Sequence, residues 1–118
     1  MSWKVINHEA FDAEFEALPR AVRLEVIAVA SLLRVYGPAL GRPHVDTLAG
    51  SKFTNMKEMR FKADKGVWRV AFAFDPERQA IILIAGDKSG VGQKRFYNSL
   101  IAKADNRFGE HLTKLKEQ

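Results

Sequence analysis

The sequence predicts an α+β domain in the order β-α-α-β-β-β-α, a small and mainly antiparallel sheet with a helical hairpin and a C-terminal helix packed on it. Three observations lead to this class. Two adjacent stretches near the amino end repeat apolar residues at helical spacing. Three strand-like runs in the middle are separated by short turn sequences, and from Gln93 onward apolar residues recur every four positions.

Taken in order, "WKVIN" (3–7) alternates as a short strand, and "HEAFDAEFEALP" places Phe11, Phe15 and Leu18 on one helical face, with Asn7 or His8 as the cap. Pro19 suits the first turn of a second helix, where its missing N–H costs nothing. Val22, Val26, Val29 or Ala30, and Leu33 continue that helix until "YGP" (36–38) stops it. Residues 37–54 hold three glycines, two prolines and a serine and read as a surface loop. The runs "NMKEMRFK" (55–62), "VWRVAFAF" (67–74) and "AIILIAGD" (80–87), joined by "ADKG" and "DPERQ", read as an antiparallel meander. In the middle run Trp68, Val70, Phe72 and Phe74 share one face, and Val67, Arg69, Ala71 and Ala73 the other. The third run is apolar on both faces, as a central strand should be. Phe96, Leu100, Ala104 and Phe108 mark the last helix, with Gly109 as its expected interruption. The helices are expected on one side of the sheet. At 118 residues the whole chain, 1–118, reads as a single domain.

Composition narrows the chemistry. The absence of cysteine removes disulfides, Cys-ligated zinc and thiol nucleophiles together. His8, His44 and His111 lie far apart and none has a partner four residues away, so neither a metal nor another cofactor is expected. The amino-terminal residues lack a basic region followed by an apolar run, and no stretch approaches the length of a membrane span; the expected location is cytoplasmic, without membrane contact. The net charge of +5 is uneven: residues 1–36 carry four basic and five acidic side chains, and residues 37–118 carry 15 and nine. That asymmetry suggests a polyanionic partner.

Arg69 is the most informative position. It sits mid-strand on a face whose other members are small, where an always-charged fork of donors matches phosphate oxygens. The ordinary alternative is an arginine paired with an acid such as Glu58 or Asp87. In "KEMRF", Arg60 shares a face with Glu58 and Lys62, so a neighbouring strand could bring Arg60 beside Arg69, and two arginines repel unless an anion lies between them. Lys52, Lys57, Lys88, Lys94 and Arg95 are candidates for the rim, each alone an ordinary surface charge. Tyr97, after "KRF", could stack on a base, bond a phosphate or deliver a proton, or else sit at the edge of the core. "GDKSGVG" (86–92) lacks the spacing and terminal Lys-Ser/Thr of a nucleotide-hydrolysing phosphate loop.

The stretches "PHVDTLAG" (43–50), "KEMRF" (57–61), "VWRVAFAF" (67–74) and "IILIAGDKSG" (81–90), in this order and before a basic helix, resemble the RelE/ParE toxin superfamily, and more closely its HigB-like, phage-derived branch. The resemblance covers nearly the whole chain. It implies the toxin of a type II toxin–antitoxin pair, with a cognate antitoxin, a helix-turn-helix DNA-binding protein, as partner. It further implies a ribosome-dependent endoribonuclease, an mRNA interferase, that works without metal by attack of a 2′-hydroxyl on the adjacent phosphate. By the same resemblance Arg60 and Arg69 are assigned to phosphate stabilisation. Lys88 and Tyr97 join them as catalytic candidates by position and chemistry, and Lys52, Lys57, Lys94 and Arg95 are candidates for RNA binding. The stretch "DKSGVGQKRFYNSLIAKAD" departs from the branch, which often carries paired lysines and a threonine- and proline-containing link before the helix. Two further readings keep the same fold: a ParE-like inhibitor of DNA gyrase, and a decayed, non-catalytic binding module.

Overall fold

Two tight turns set the sheet. Asp64 and Lys65 both take positive φ (49° and 62°), as a two-residue hairpin with the right twist requires, and they pair Ala63 with Gly66. In the second turn the carboxylate of Asp75 accepts the backbone N–H of Glu77 and of Gln79, while Arg78 takes φ 62°. The structure, a computed structural model, describes residues 2–118. Its elements are β1 (Lys4–Asn7), α1 (Glu9–Glu16), α2 (Arg20–Tyr36), a short 3-10 turn (Gly37–Ala39), β2 (Val45–Thr47), β3 (Met56–Ala63), β4 (Gly66–Phe74), β5 (Gln79–Asp87) and α3 (Gln93–Lys116). The five strands lie in the order β1-β5-β4-β3-β2, with β1 parallel to β5 and every other pair antiparallel.

The expected α+β class and element order hold, with four local differences. First, the helices do not share one side. The α1–α2 hairpin packs through Phe11, Val26, Val29 and Leu33 on Met59, Val70, Phe72 and Ile82, and α3 packs through Phe96, Leu100, Ala104 and Phe108 on Ala71, Ala73, Ile81 and Leu83, on the opposite face. The reason lies in β4 and β5, which are apolar on both faces and expose too much surface for one layer to cover. Each such large side chain contributes about 1.5–3 kcal/mol when buried. Second, the loop contains a strand. Val45–Thr47 pairs with Lys57–Met59, and three residues are too few to show an alternation of their own. Third, α3 runs unbroken through Gly109. A helical glycine costs only about 1 kcal/mol relative to alanine, and Phe108 is 1% exposed beside it, edge-on to Phe53. Fourth, Pro19 stands one position before α2, its carbonyl accepting the N–H of Val22 and Arg23. The cap of α1 is His8, whose Nδ1 accepts from the Ala10 N–H.

A bulge shapes the site end of β5. Ala71 faces Ile84 while Phe72 faces Ile82, so Leu83 has no residue opposite it. Leu83 and Ile84 both point at α3, and α3 begins only a short loop beyond the strand.

Candidate functional site

Strand alternation puts Glu58, Arg60, Arg69 and Ala71 on the α3 face of the sheet, and the register pairs Arg60 directly with Arg69. Two guanidinium groups at that distance need an anion, and the chain supplies one. Glu58, 4% exposed, receives Arg60 Nη1 at 3.1 Å on Oε2, and its Oε1 lies 3.8 Å from Arg69 Nε. Tyr97, on the first turns of α3, closes the group: its hydroxyl donates to Glu58 Oε1 at 2.9 Å and accepts from Arg69 Nε at 3.1 Å. Arg69 also donates through Nη1 to its neighbour's carbonyl, Trp68 O, at 2.9 Å.

Arg69 is therefore not spread open across small neighbours. Its side chain is 7% exposed, against 28% for Arg60, because the helix that carries Tyr97 lies over it. Glu58 entered the reading of the sequence only as the acid of the ordinary alternative, a partner for Arg69; the structure makes that pairing and adds Arg60 to it. The signal was present in the shared parity of Glu58 with Arg60, but the identity of the opposing groups depends on where α3 docks. Burial raises the pKa of the Tyr97 phenol above its ordinary value and the bond to Glu58 adds to that, with Arg69 opposing. The phenol thus holds its proton through neutral pH.

The group lies at one end of an open groove of about 850 Å³ between β2–β3 and α3. Glu58, Arg60 and Tyr97 form its polar end, Leu48, Gly50 and Ile101 an apolar floor, and Gln93, Lys94 and Asn98 a rim. Gly50 (φ 99°) brings its backbone so close that an added Cβ would stand 3.2 Å from Ile101 Cδ1. Lys88 joins from the strand exit, with Nζ 6.0 Å from the centre of the Tyr97 ring. Among the candidates, then, Arg60, Arg69, Tyr97, Lys88 and Lys94 are brought together.

The other three are not. Lys57 has the parity of Met59 and leaves on the opposite face, where Nζ donates to Thr47 Oγ1 at 3.2 Å. Lys52 lies further along α3, its N–H bonded to Asp105 and its ammonium 5.4 Å from the centre of the Phe53 ring. Arg95 lies on the other flank of α3, beside Ile84 and Gly86. Asp87 does not orient a cation; it accepts the N–H of Val67 and Ser89 and so holds the strand exit. Although desolvation pushes its pKa up, these bonds bring it below the usual value. His111 is held by Asp75 at 2.8 Å and His8 by Glu110 at 3.3 Å, both away from the groove. Among the described residues no group of three His, Asp or Glu side chains is arranged to hold a metal ion, and no helix is long and apolar enough to cross a membrane.

A five-stranded sheet between a helical hairpin and a third helix has counterparts among solved structures. A double arginine-to-alanine mutant of the E. coli toxin RelE in the free state superposes with a TM-score of 0.62 at 13% identity, covering 87% of this chain and 97% of that one. An archaeal RelE–RelB complex from Pyrococcus horikoshii gives a TM-score of 0.56 at 19% identity, over 77% of this chain and 100% of the other. The fold is that of RelE. More narrowly, residues 13–109 match the phage-derived Gp49-like model (DUF891), and the chain belongs to that family. Two Mycobacterium tuberculosis proteins named as toxins are similar in sequence. HigB2 is 42% identical over 110 residues, 92% of this chain and 54% of HigB2, and HigB3 is 48% identical over 93 residues, 79% of each chain. The chain thus spans about half the length of HigB2 and about four fifths of HigB3.

Proposed function

We propose that residues 1–118 act as a single cytoplasmic domain, the toxin of a type II toxin–antitoxin system, and that it cleaves messenger RNA on the ribosome without a metal. What supports the toxin reading is the family membership together with the HigB relatives. What supports cleavage is one observation: two arginines, a buried carboxylate and a protonated phenol form one hydrogen-bonded group, of which Glu58, Arg60 and Tyr97 line an open groove of about 850 Å³.

In this reading the scissile phosphate enters beside Arg60, the more exposed of the two arginines. Glu58 accepts the 2′-hydroxyl proton as the 2′-oxygen bonds to phosphorus. Arg60 and Arg69 stabilise the charge that develops on the phosphoryl oxygens. Tyr97 donates its proton to the departing 5′-oxygen, and Arg69 Nε steadies the phenolate. Protonated Glu58, 2.9 Å away, then returns a proton to the phenolate, which restores both groups. The products are a 2′,3′-cyclic phosphate and a 5′-hydroxyl. Lys88 supports the charge from the Tyr97 side, and Lys94 holds the RNA backbone at the groove rim. The partners in this reading are the ribosome, its message, and a cognate helix-turn-helix antitoxin.

The test is the mapping of RNA 5′ ends after brief induction of wild type, Arg60→Ala and Tyr97→Phe, with circular dichroism of each purified chain. New 5′-hydroxyl ends within translated frames should appear for wild type. They should fall about 10²–10⁴-fold for Tyr97→Phe, the usual worth of a positioned acid. Growth arrest with unaltered messages overturns the reading; accumulation of cleaved DNA would transfer it to the gyrase-inhibitor class.

A further inference from the structure

β2 carries a second carboxylate onto the face of the site. Asp46 is the cross-strand partner of Glu58, so the two acids stand directly opposite each other on the α3 side of the sheet. Like charges so placed repel, and Arg60 lies between them, with Nη1 3.1 Å from Glu58 Oε2 and 4.0 Å from Asp46 Oδ2. The same Asp46 oxygen accepts from Arg42 Nη2 at 2.6 Å, in the loop before β2, while Oδ1 accepts the N–H of Thr47 at 2.9 Å. These two bonds, Thr47 first, bring the Asp46 carboxyl below its usual pKa against desolvation, and the charge of Arg60 adds to them. Asp46 is thus an anion at neutral pH.

The two carboxylates differ in how readily they can let go. Glu58 is nearly buried and is fixed by Arg60 and Tyr97. Asp46 is 35% exposed and Arg42 69% exposed, and among the described residues Arg42 has no other ion pair or side-chain hydrogen bond. A pair so open to water contributes little to the fold, and a competing anion can take its place. A phosphodiester offers two anionic oxygens to guanidinium groups much as a carboxylate does. Asp46 therefore marks a point beside the groove where one anion lies against two arginines.

We infer that Asp46 is an exchangeable stand-in for an RNA phosphate: the strand that enters beside Arg60 displaces it, and Arg42, released, closes on that phosphate as a further binding residue. In the free chain Asp46 keeps Arg42 beside Arg60 and repels anions that have no other hold on the protein. A strand that also reaches Lys94 across the groove can displace it, so the carboxylate favours a polymer over a single small anion. The inference rests on the proposed function for the identity of the strand, and adds Arg42 and Asp46 to the residues that receive it.

The probe is a short single-stranded 2′-O-methyl RNA, which has no free 2′-hydroxyl and cannot be cut. Fluorescence anisotropy at several salt concentrations gives its affinity for wild type, Arg42→Gln, Asp46→Asn, the double variant and Asp46→Glu. Arg42→Gln should weaken binding and make the slope of log K against log salt shallower by about 0.7, the share of one phosphate contact on a single strand. Asp46→Asn should tighten binding about two- to fivefold, the usual worth of an exposed ion pair. That gain should largely vanish in the Arg42→Gln background, and Asp46→Glu, which keeps the charge, should bind as wild type does. In wild type the guanidinium NMR signal of Arg42 should move on saturation, a readout that needs no variant to fold. An unchanged salt slope in Arg42→Gln, an equal gain from Asp46→Asn in both backgrounds, weaker binding by Asp46→Asn, or an Arg42 signal that stays in place would each overturn the inference. Binding through Arg42 by a chain that cuts no RNA removes only the cleavage, and cleavage with an unmoved Arg42 signal removes only this inference.

Discussion

Tyr97 and Glu58 form the contact that ties α3 to the charged face of the sheet, and its strength is measurable without any substrate. In Tyr97→Phe the ring and its edge-on packing on Phe96 remain, while two hydrogen bonds are lost, one to each of two nearly buried charges. Glu58 Oε1 is then left with Arg69 Nε at 3.8 Å, too long for a hydrogen bond. Bonds to charged groups are worth about 1.5–3 kcal/mol, and the partial exposure of Tyr97 lets water replace some of that, so the loss should be about 2 kcal/mol. Glu58→Gln keeps the shape and a carbonyl for Tyr97 but leaves two arginines facing each other without their anion, at a cost of about 3 kcal/mol. The double variant should cost less than the sum by about 1 kcal/mol, because either change removes the charge-assisted bond from Tyr97 to Glu58, of which Glu58→Gln keeps only the weaker neutral form. Urea unfolding of the four chains, with equal slopes, measures the coupling. Additivity to within about 0.3–0.5 kcal/mol, the spread seen for independent sites, would refute the shared bond.

Two other perturbations probe the frame. The pKa of Asp75 is subject to desolvation, which raises it, yet bonds from His111, Gln79 and Glu77 bring it below the usual value; a depressed carboxylate stabilises the fold when ionised, so its contribution is complete at neutral pH and is lost as pH falls through the acid range. Asp75→Asn should therefore be less stable than wild type at neutral pH and lose less between about pH 5 and pH 3, read by thermal unfolding; parallel pH profiles would refute it. Gly37 has φ 52°, and an added Cβ would stand 2.3 Å from Trp3 Nε1, whose ring packs edge-on against Phe74. Gly37→Ala should cost about 2–4 kcal/mol from backbone strain and overpacking together, with a shift in Trp3 fluorescence, and a loss under about 1 kcal/mol would show the turn to be pliant.

Much of this was legible in the chain because periodicity reports burial. The alternation of Trp68, Val70, Phe72 and Phe74 and the spacing of Phe96, Leu100, Ala104 and Phe108 each mark a face that the fold buries. The direct pairing of Arg60 with Arg69 followed from parity and the short turn between the strands. What escaped was non-local. β2 exists because β3 offers it an edge, not because Val45–Thr47 carries a pattern. That Glu58 serves both arginines, while Arg95 falls on the far flank of α3, depends on how the last helix crosses the sheet; the far face taken by Lys57 was set by its parity with Met59. No window of sequence contains that angle.

The order in which the site is completed follows from where its members lie. Glu58, Arg60 and Arg69 come together through a hairpin closed by two residues, whereas Tyr97 must arrive with α3, and the clasp that steadies that helix joins Glu14 to Arg107 across 93 positions. Local pairing forms ahead of such distant closure. During synthesis the sheet can therefore stand while its charged face still lacks the phenol, and the group of four is complete only when the last helix has emerged and docked. On the proposed function, a delay of that kind leaves time for an antitoxin to bind before Tyr97 joins Glu58.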